Sequence, residues 1–172
     1  MKFSNILLVI VLIIFFGWIL NNLLSNNRSL PIIYQFDPTK YQGLWYEIAR
    51  LPVYYQNGCT NSTANYTLNN DNTIGVTNQC QVNNNIIQVK GVAKPKANQP
   101  GRFDVYFENN PEAGEYNIIY LDPNYQYALV GTSDRNSLWI LSRNANINDH
   151  TFQDLVWRAK QLGYDTDKLI IN

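Results

Sequence analysis

The stretch Gly43-Leu44-Trp45-Tyr46-Glu47-Ile48-Ala49-Arg50 reads as a β-strand starting at the closed end of a small barrel. A residue without Cβ lets the chain enter closely. The indole two positions on is large and flat enough to plug a barrel floor. Far downstream, Leu138-Trp139-Ile140-Leu141-Ser142-Arg143 supplies a cation that can lie across Trp45. Guanidinium over indole contributes roughly 0.5–2 kcal/mol, more as water is excluded, and here it would tie the first strand to the last.

Between these ends the chain reads as short strands separated by turn clusters, the signature of an antiparallel meander. Eight strands are expected, over 43–51, 62–68, 73–80, 86–93, 102–108, 115–121, 126–131 and 137–143. The dividers include Asn69–Asn72, Asn83–Asn85, Lys94–Gly101, Asn109–Gly114, Asp122–Asn124 and Ser133–Asn136. Eight sequential antiparallel strands without a long crossover close most economically as an up-and-down β-barrel. One clear helix follows. Asn148 or Asp149 can cap it, Phe152, Leu155, Val156, Ala159 and Leu162 form its apolar stripe, and Gly163 ends it. The stripe needs a wall, and Tyr116–Leu121, apolar on both faces, offers one outside the barrel. Lys168–Ile171 is expected to add a last edge strand.

Three segments together, Tyr41–Arg50, Leu121–Val130 and Trp139–Arg143, followed by a helix ending near Gly163, resemble the lipocalin family, in its bacterial lipocalin and apolipoprotein D branch. The resemblance runs from about Phe36 to the end of the chain. It implies an all-β barrel with an outside helix and a small lipophilic ligand in the interior; a few members of the family are enzymes, but the residues of this chain lead us to expect no catalysis and no cofactor. Gly43, Trp45 and Arg143 match the family's structural motif. Tyr66 and Trp139 fall on positions that line the pocket in this branch.

Composition agrees. The 172 residues suit one domain, and 45% hydrophobic with 13% aromatic residues suffices for a core. Thirteen basic residues balance thirteen acidic ones, which excludes a basic footprint for nucleic acid. The N-terminus stands apart. From Ile6 to Leu20 no charge occurs, and with Leu23-Leu24 the run reaches the roughly 20 residues a bilayer-spanning helix needs. It is either a cleaved signal segment or an uncleaved anchor. Leu23-Leu24-Ser25 is a poor small-x-small cleavage site, which favours the anchor and puts the barrel on the extracytoplasmic side; secretion after cleavage is the alternative. Lipoprotein anchoring, found among bacterial relatives, requires a Cys after the run, and none is present. The expected layout is an anchor or signal segment over 1–24, a linker over 25–35 and the barrel domain over 36–172.

Alternation assigns the inner wall. Phe103, Val105 and Phe107 point inward against Asp104 and Glu108; Ala64, Tyr66 and Leu68 do so on the second strand, and Ile87, Val89 and Gly91 on the fourth. Trp139 shares the parity of Arg143 and lies higher up. Small inward residues, Ala64, Gly91 and Ala93, favour a cavity. Charge inside is confined to Glu47, near the floor on the parity of Trp45, so an anion deep in the barrel would be costly to bury. An acyl chain or flat apolar ring fits, with its polar head at the mouth, where Tyr54 and Tyr55 can form a rim. The competing reading is a barrel filled by its own side chains.

Cys59 and Cys80, the only cysteines, flank one hairpin and can form a disulfide in an oxidising compartment; two free thiols in a reducing one are the alternative. No metal-ligand spacing is present. Asn61 and Asn65 stand in outward-facing glycosylation sequons, and Asn27 in another. His150, the single histidine, sits at a helix start with no nucleophile at a recognisable spacing. The functional expectation is binding, storage or transport of a fatty acid, lysophospholipid or similar molecule at a membrane surface. The alternative is a filled structural or interaction module.

Overall fold

In a computed structural model, described for residues 11–17, 19, 29–31 and 33–172, the meander closes on itself. Eight antiparallel strands pair in sequence order, β1 (Gly43–Arg50), β2 (Thr60–Leu68), β3 (Ile74–Val82), β4 (Asn85–Pro95), β5 (Arg102–Phe107), β6 (Asn110–Leu121), β7 (Tyr127–Gly131) and β8 (Leu138–Ser142). β1 pairs with both β2 and β8, so the barrel has no open side. The final strand β9 (Ile170–Ile171) adds to β1 at Ala49 and Arg50, as expected. A single helical turn, α1 (Pro38–Tyr41), closes the lower end. Asp37 caps it through the Thr39 amide, and proline occupies its first position.

Two turns are tighter than the sequence suggests. Asn83 and Asn84 both take positive φ, 49° and 64°, the backbone of a two-residue hairpin that Asn tolerates best after Gly. Asn85 therefore belongs to β4. β6 likewise begins at Asn110 rather than after Gly114, with a shift of register between Val105 and Phe107.

Inside the barrel, Trp45, Ala64, Tyr66, Ile74, Val76, Ala93, Phe103, Val105, Ile118, Val130 and Leu141 form one buried cluster above Tyr41. Outside it, helix α2 (Asp149–Gln161), capped by Asn148, packs Leu155 and Ala159 against a second cluster. That cluster draws on Ile48 and Ala49 of β1, Ile119 of β6, Leu129 of β7 and Leu138 and Ile140 of β8. The helix thus covers four strands rather than β6 alone. A bulge makes this possible: the β1–β8 register shifts between Glu47 and Ala49, turning both Ile48 and Ala49 outward.

The expected linker is part of the domain at its far end. Leu30 is buried, Arg102 donates through Nη2 to its carbonyl at 2.9 Å, and Ile33 packs against the barrel cluster. Most of the apolar run over 1–24 lies outside the described residues. Residues 11–17 are helical, and among the described residues no helix is long and apolar enough to cross a membrane.

Candidate functional site

The closed end is built around Trp45, which is fully buried. Its indole donates to the Tyr41 carbonyl at 2.8 Å, and the Arg143 guanidinium lies 4.0 Å from its ring centroid. Arg143 also donates to the carbonyls of Lys40, Tyr41, Gln42, Leu44 and Tyr125 at 2.7–3.2 Å. One side chain thereby ties together α1, β1, the β6–β7 turn and the end of β8. Gly43 is called for by its backbone: its φ is +94°, which side-chain-bearing residues rarely adopt, whereas a Cβ there would meet Arg143 Nη1 at an ordinary contact of 3.5 Å.

Above this floor the barrel is packed with aromatic rings. Tyr41 stacks on Tyr66 with centroids 5.3 Å apart, and Phe103 and Tyr116 meet edge to face at 6.1 Å. The hydroxyls of Tyr41 and Tyr66 each lie 2.8 Å from that of Tyr116. Loss of hydration pushes the Tyr66 phenol up to about 12, and the other two well above the ordinary range. The three therefore stay neutral and hydrogen-bonded at neutral pH.

Toward the mouth the apolar wall opens. Val89, Gly91, Phe107 and Trp139 are only partly buried, and Ile87, the register partner of Cys80, is half exposed at the rim. Tyr55 is exposed beside Tyr54 in the short 3₁₀ turn Tyr54–Gln56 that leans over the opening. Phe103, Val105 and Ala64 lie deeper and are buried, on the inner face as alternation requires. Gly91 does not leave a void. A Cβ there would lie 2.6 Å from the Tyr106 carbonyl oxygen and 2.8 Å from the Phe107 ring, so the missing side chain accommodates Phe107.

The interior charge differs from the expectation. Glu47 points inward but does not sit at the floor, and it is accompanied by Arg50, which the simple alternation from Trp45 would place outside. The bulge after Glu47 reverses the parity: Arg50 pairs with Trp139 in register and is 3% exposed. The two form an ion pair at 2.9 Å. Arg50 Nη2 also donates to the carbonyls of Gln56 and Cys59, at 3.0 and 3.2 Å, pinning the mouth loop. Gln56 completes the group. Its amide nitrogen donates to Glu47 Oε2 at 2.9 Å and its amide oxygen accepts from Trp139 Nε1 at 2.8 Å. Burial pushes the Glu47 carboxyl up, against the opposing pull of Gln56 and Arg50. Arg50 carried no signal in an alternation pattern, because a bulge is invisible to it, and Gln56 carried none because it stands in a loop.

Cys59 and Cys80 form a disulfide, with Cα atoms 5.4 Å apart, joining the mouth loop to β3. Asn61 and Asn65 are exposed on the outer surface, and Asn61 donates to the Gln81 side chain at 3.1 Å. Asp104 faces outward, paired with Lys96 at 2.8 Å. A surface groove of about 660 Å³ lies outside the closed end, between Phe36 and Tyr125. Its carboxylates are already engaged: Asp37 caps α1, and Asp122 accepts from the amides of Asn124, Gln126 and Tyr127. Among the described residues no cluster of His, Cys, Asp and Glu could hold a metal ion.

Comparison with known proteins agrees with this architecture. Residues 36–172 match the model of the lipocalin-like domain. A lipocalin of Acanthamoeba polyphaga mimivirus is 42% identical over 158 residues, covering 87% of this chain and 92% of its own. The outer membrane lipoprotein Blc of Escherichia coli is 32% identical over 151 residues, covering 83% and 82%, and apolipoprotein D of Mus musculus aligns with the same region. Among solved structures, insecticyanin of Manduca sexta shares the fold, with a TM-score of 0.68 at 20% identity over 84% of each chain. A closed eight-stranded barrel with an arginine stacked on its floor tryptophan, an outside helix and these relatives lead to one conclusion: the chain belongs to the lipocalin family, a family of binding and transport proteins rather than enzymes.

Proposed function

We propose that this lipocalin binds and carries a small lipophilic molecule, a fatty acid, lysophospholipid or similar single-chain amphiphile, in the upper half of its barrel at a membrane surface. The observation that carries the reading is the half-open inner wall formed by Val89, Gly91, Phe107 and Trp139 beneath the Tyr54–Gln56 turn. Apolar side chains left accessible on an inner surface are stabilised by an apolar occupant, at about 25 cal/mol per Å² removed from water. Tyr66, Phe103, Val105 and Ala64 form the base of this space and Tyr55 its rim. The charge-free run over 3–24 supports holding the barrel at a membrane on its extracytoplasmic side, and the disulfide supports an oxidising compartment. Asn61 and Asn65 are accessible to glycosylation in a host that performs it.

The test is mass spectrometry of organic extracts from the purified chain, followed by titration with acyl-chain ligands. Quenching of Trp139 is expected, and Trp139→Ala should weaken binding by about 1–3 kcal/mol if the indole is a central contact. A second reading, a filled interaction module, is favoured by one observation: Tyr41, Trp45, Tyr66, Phe103 and Tyr116 already occupy the lower half. No extractable lipid and no saturable quenching would establish that reading instead.

A further inference from the structure

The upper interior has a polar side as well as an apolar one. Glu47 and Arg50 bring it onto β1. β2 continues it: Ser62 is buried and shares the face of Ala64 and Tyr66. The β1–β2 register sets Trp45 opposite Ala64, so Glu47 falls beside Ser62. β3 adds Asn78, the register partner of Ala64. Three side-chain atoms of this wall, Arg50 Nε, Ser62 Oγ and Asn78 Oδ1, are buried without a hydrogen-bond partner among the described residues. Such atoms are rare in native proteins and costly to leave unpaired.

Over this wall lies the Gln56 carboxamide. It hangs from an exposed turn of the mouth loop, directly after Tyr54 and Tyr55, which are 87% and 58% exposed, and reaches in to engage Glu47 and Trp139. A surface loop therefore places a neutral group, one donor and one acceptor on a single carbon, where the polar end of a ligand would lie. We propose that Gln56 is a built-in stand-in for the ligand's polar group. On this view the bound molecule is a single-chain amphiphile with a neutral carboxamide-like head, which displaces Gln56 and takes over its bonds to Glu47 and Trp139. This inference rests on the lipid-carrier reading of the cavity and narrows it.

The chemistry of the site selects against a free carboxylate. An anion in the place of Gln56 would meet the Glu47 carboxylate. The Arg50 guanidinium already neutralises Glu47, with Nη1 on that carboxylate, Nη2 on the loop carbonyls and only Nε free, so an added anion would leave the group with a net buried negative charge. Glu47 requires a donor and Trp139 Nε1 an acceptor, and an amide supplies both. Ser62 and Asn78, on the strands next to Glu47, carry unpaired atoms that could meet the same head group. The acyl chain would run along Val89, Gly91 and Phe107 of β4 and β5, which continue the inner wall beyond Asn78.

Decanamide and decanoate have nearly the same shape and differ in charge at pH 8, so they make the test. Calorimetric titration of the full chain, held in solution by an amphipol too bulky to enter the barrel, should show decanamide binding at least tenfold more tightly than decanoate. Removing the stand-in with Gln56→Ala, and with Gln56→Met to keep its bulk, should raise decanamide affinity several-fold and leave decanoate nearly unchanged. Comparable binding of the two probes, or variants that bind decanamide no better than the parent, would overturn the inference while leaving the carrier function standing. If neither probe binds to the parent or to either variant, the carrier reading fails and this inference falls with it.

Discussion

Replacing Arg50 by Ala should be among the most damaging single changes available to this barrel. Arg50 is 3% exposed and Glu47 8%, so the ion pair lies outside the regime in which surface pairs contribute almost nothing. Removing the guanidinium leaves the Glu47 carboxylate buried with only the Gln56 and Asn172 side-chain amides as donors. It also releases the carbonyls of Gln56 and Cys59, and with them the mouth loop. Breaking a buried pair from one side costs about 3–5 kcal/mol. With a urea slope of about 2 kcal/mol per M, typical of small domains, the midpoint should fall by about 2 M. The double replacement Glu47→Leu with Arg50→Met removes both charges and keeps the volume, so it should recover the ion-pair part of the loss and retain only the cost of the freed Gln56 and Cys59 carbonyls, about 1–2 kcal/mol below the parent. Equilibrium urea unfolding followed by tryptophan fluorescence separates the two cases. A loss below about 1 kcal/mol for Arg50→Ala, or equal losses for the single and double variants, would show that water reaches the pair and that the inner wall is not polar in the sense argued.

Arg143→Ala should destabilise the barrel by about 1–3 kcal/mol through lost stacking on Trp45 and lost carbonyl contacts, with ligand affinity nearly unchanged; a change confined to binding would place Arg143 in the site instead of the floor. The buried tyrosines give a pH dependence with a definite sign. Tyr66 is raised to about 12 and Tyr41 and Tyr116 higher than the ordinary value of 10.0, so their contribution to stability is complete below pH 10 and is lost as the pH climbs through about 12. Phenolate absorbance should therefore show these three titrating together with unfolding, and their gradual ionisation in an intact barrel would contradict the buried hydroxyl chain.

The architecture was legible because the strands alternate and the turns are marked: the interior positions of β5, Phe103, Val105 and Phe107, followed from parity alone, and the helical stripe from Phe152 to Leu162 found its wall. Two features escaped for one reason. Period-two reasoning fails wherever a strand gains a residue, and β1 does so between Glu47 and Ala49. The same bulge turns Ile48 and Ala49 together toward α2 and sends Arg50 into the barrel, so the hydrophobic contact outside and the polar wall inside have a common origin. Gln56 was missed differently. It belongs to a loop, where pattern carries no information, and its position is set by Arg50 holding the loop carbonyls. Nor could the sequence distinguish a small residue that leaves space from one that yields it to a neighbour, as Gly91 does to Phe107. The bulged strand therefore places the one charged pair of the upper barrel beside its one accessible tryptophan. Polar recognition in this lipocalin would then be concentrated on β1, the loop that follows it and the adjoining Ser62 and Asn78 of β2 and β3, leaving β4 and β5 as the apolar side against which a chain can lie.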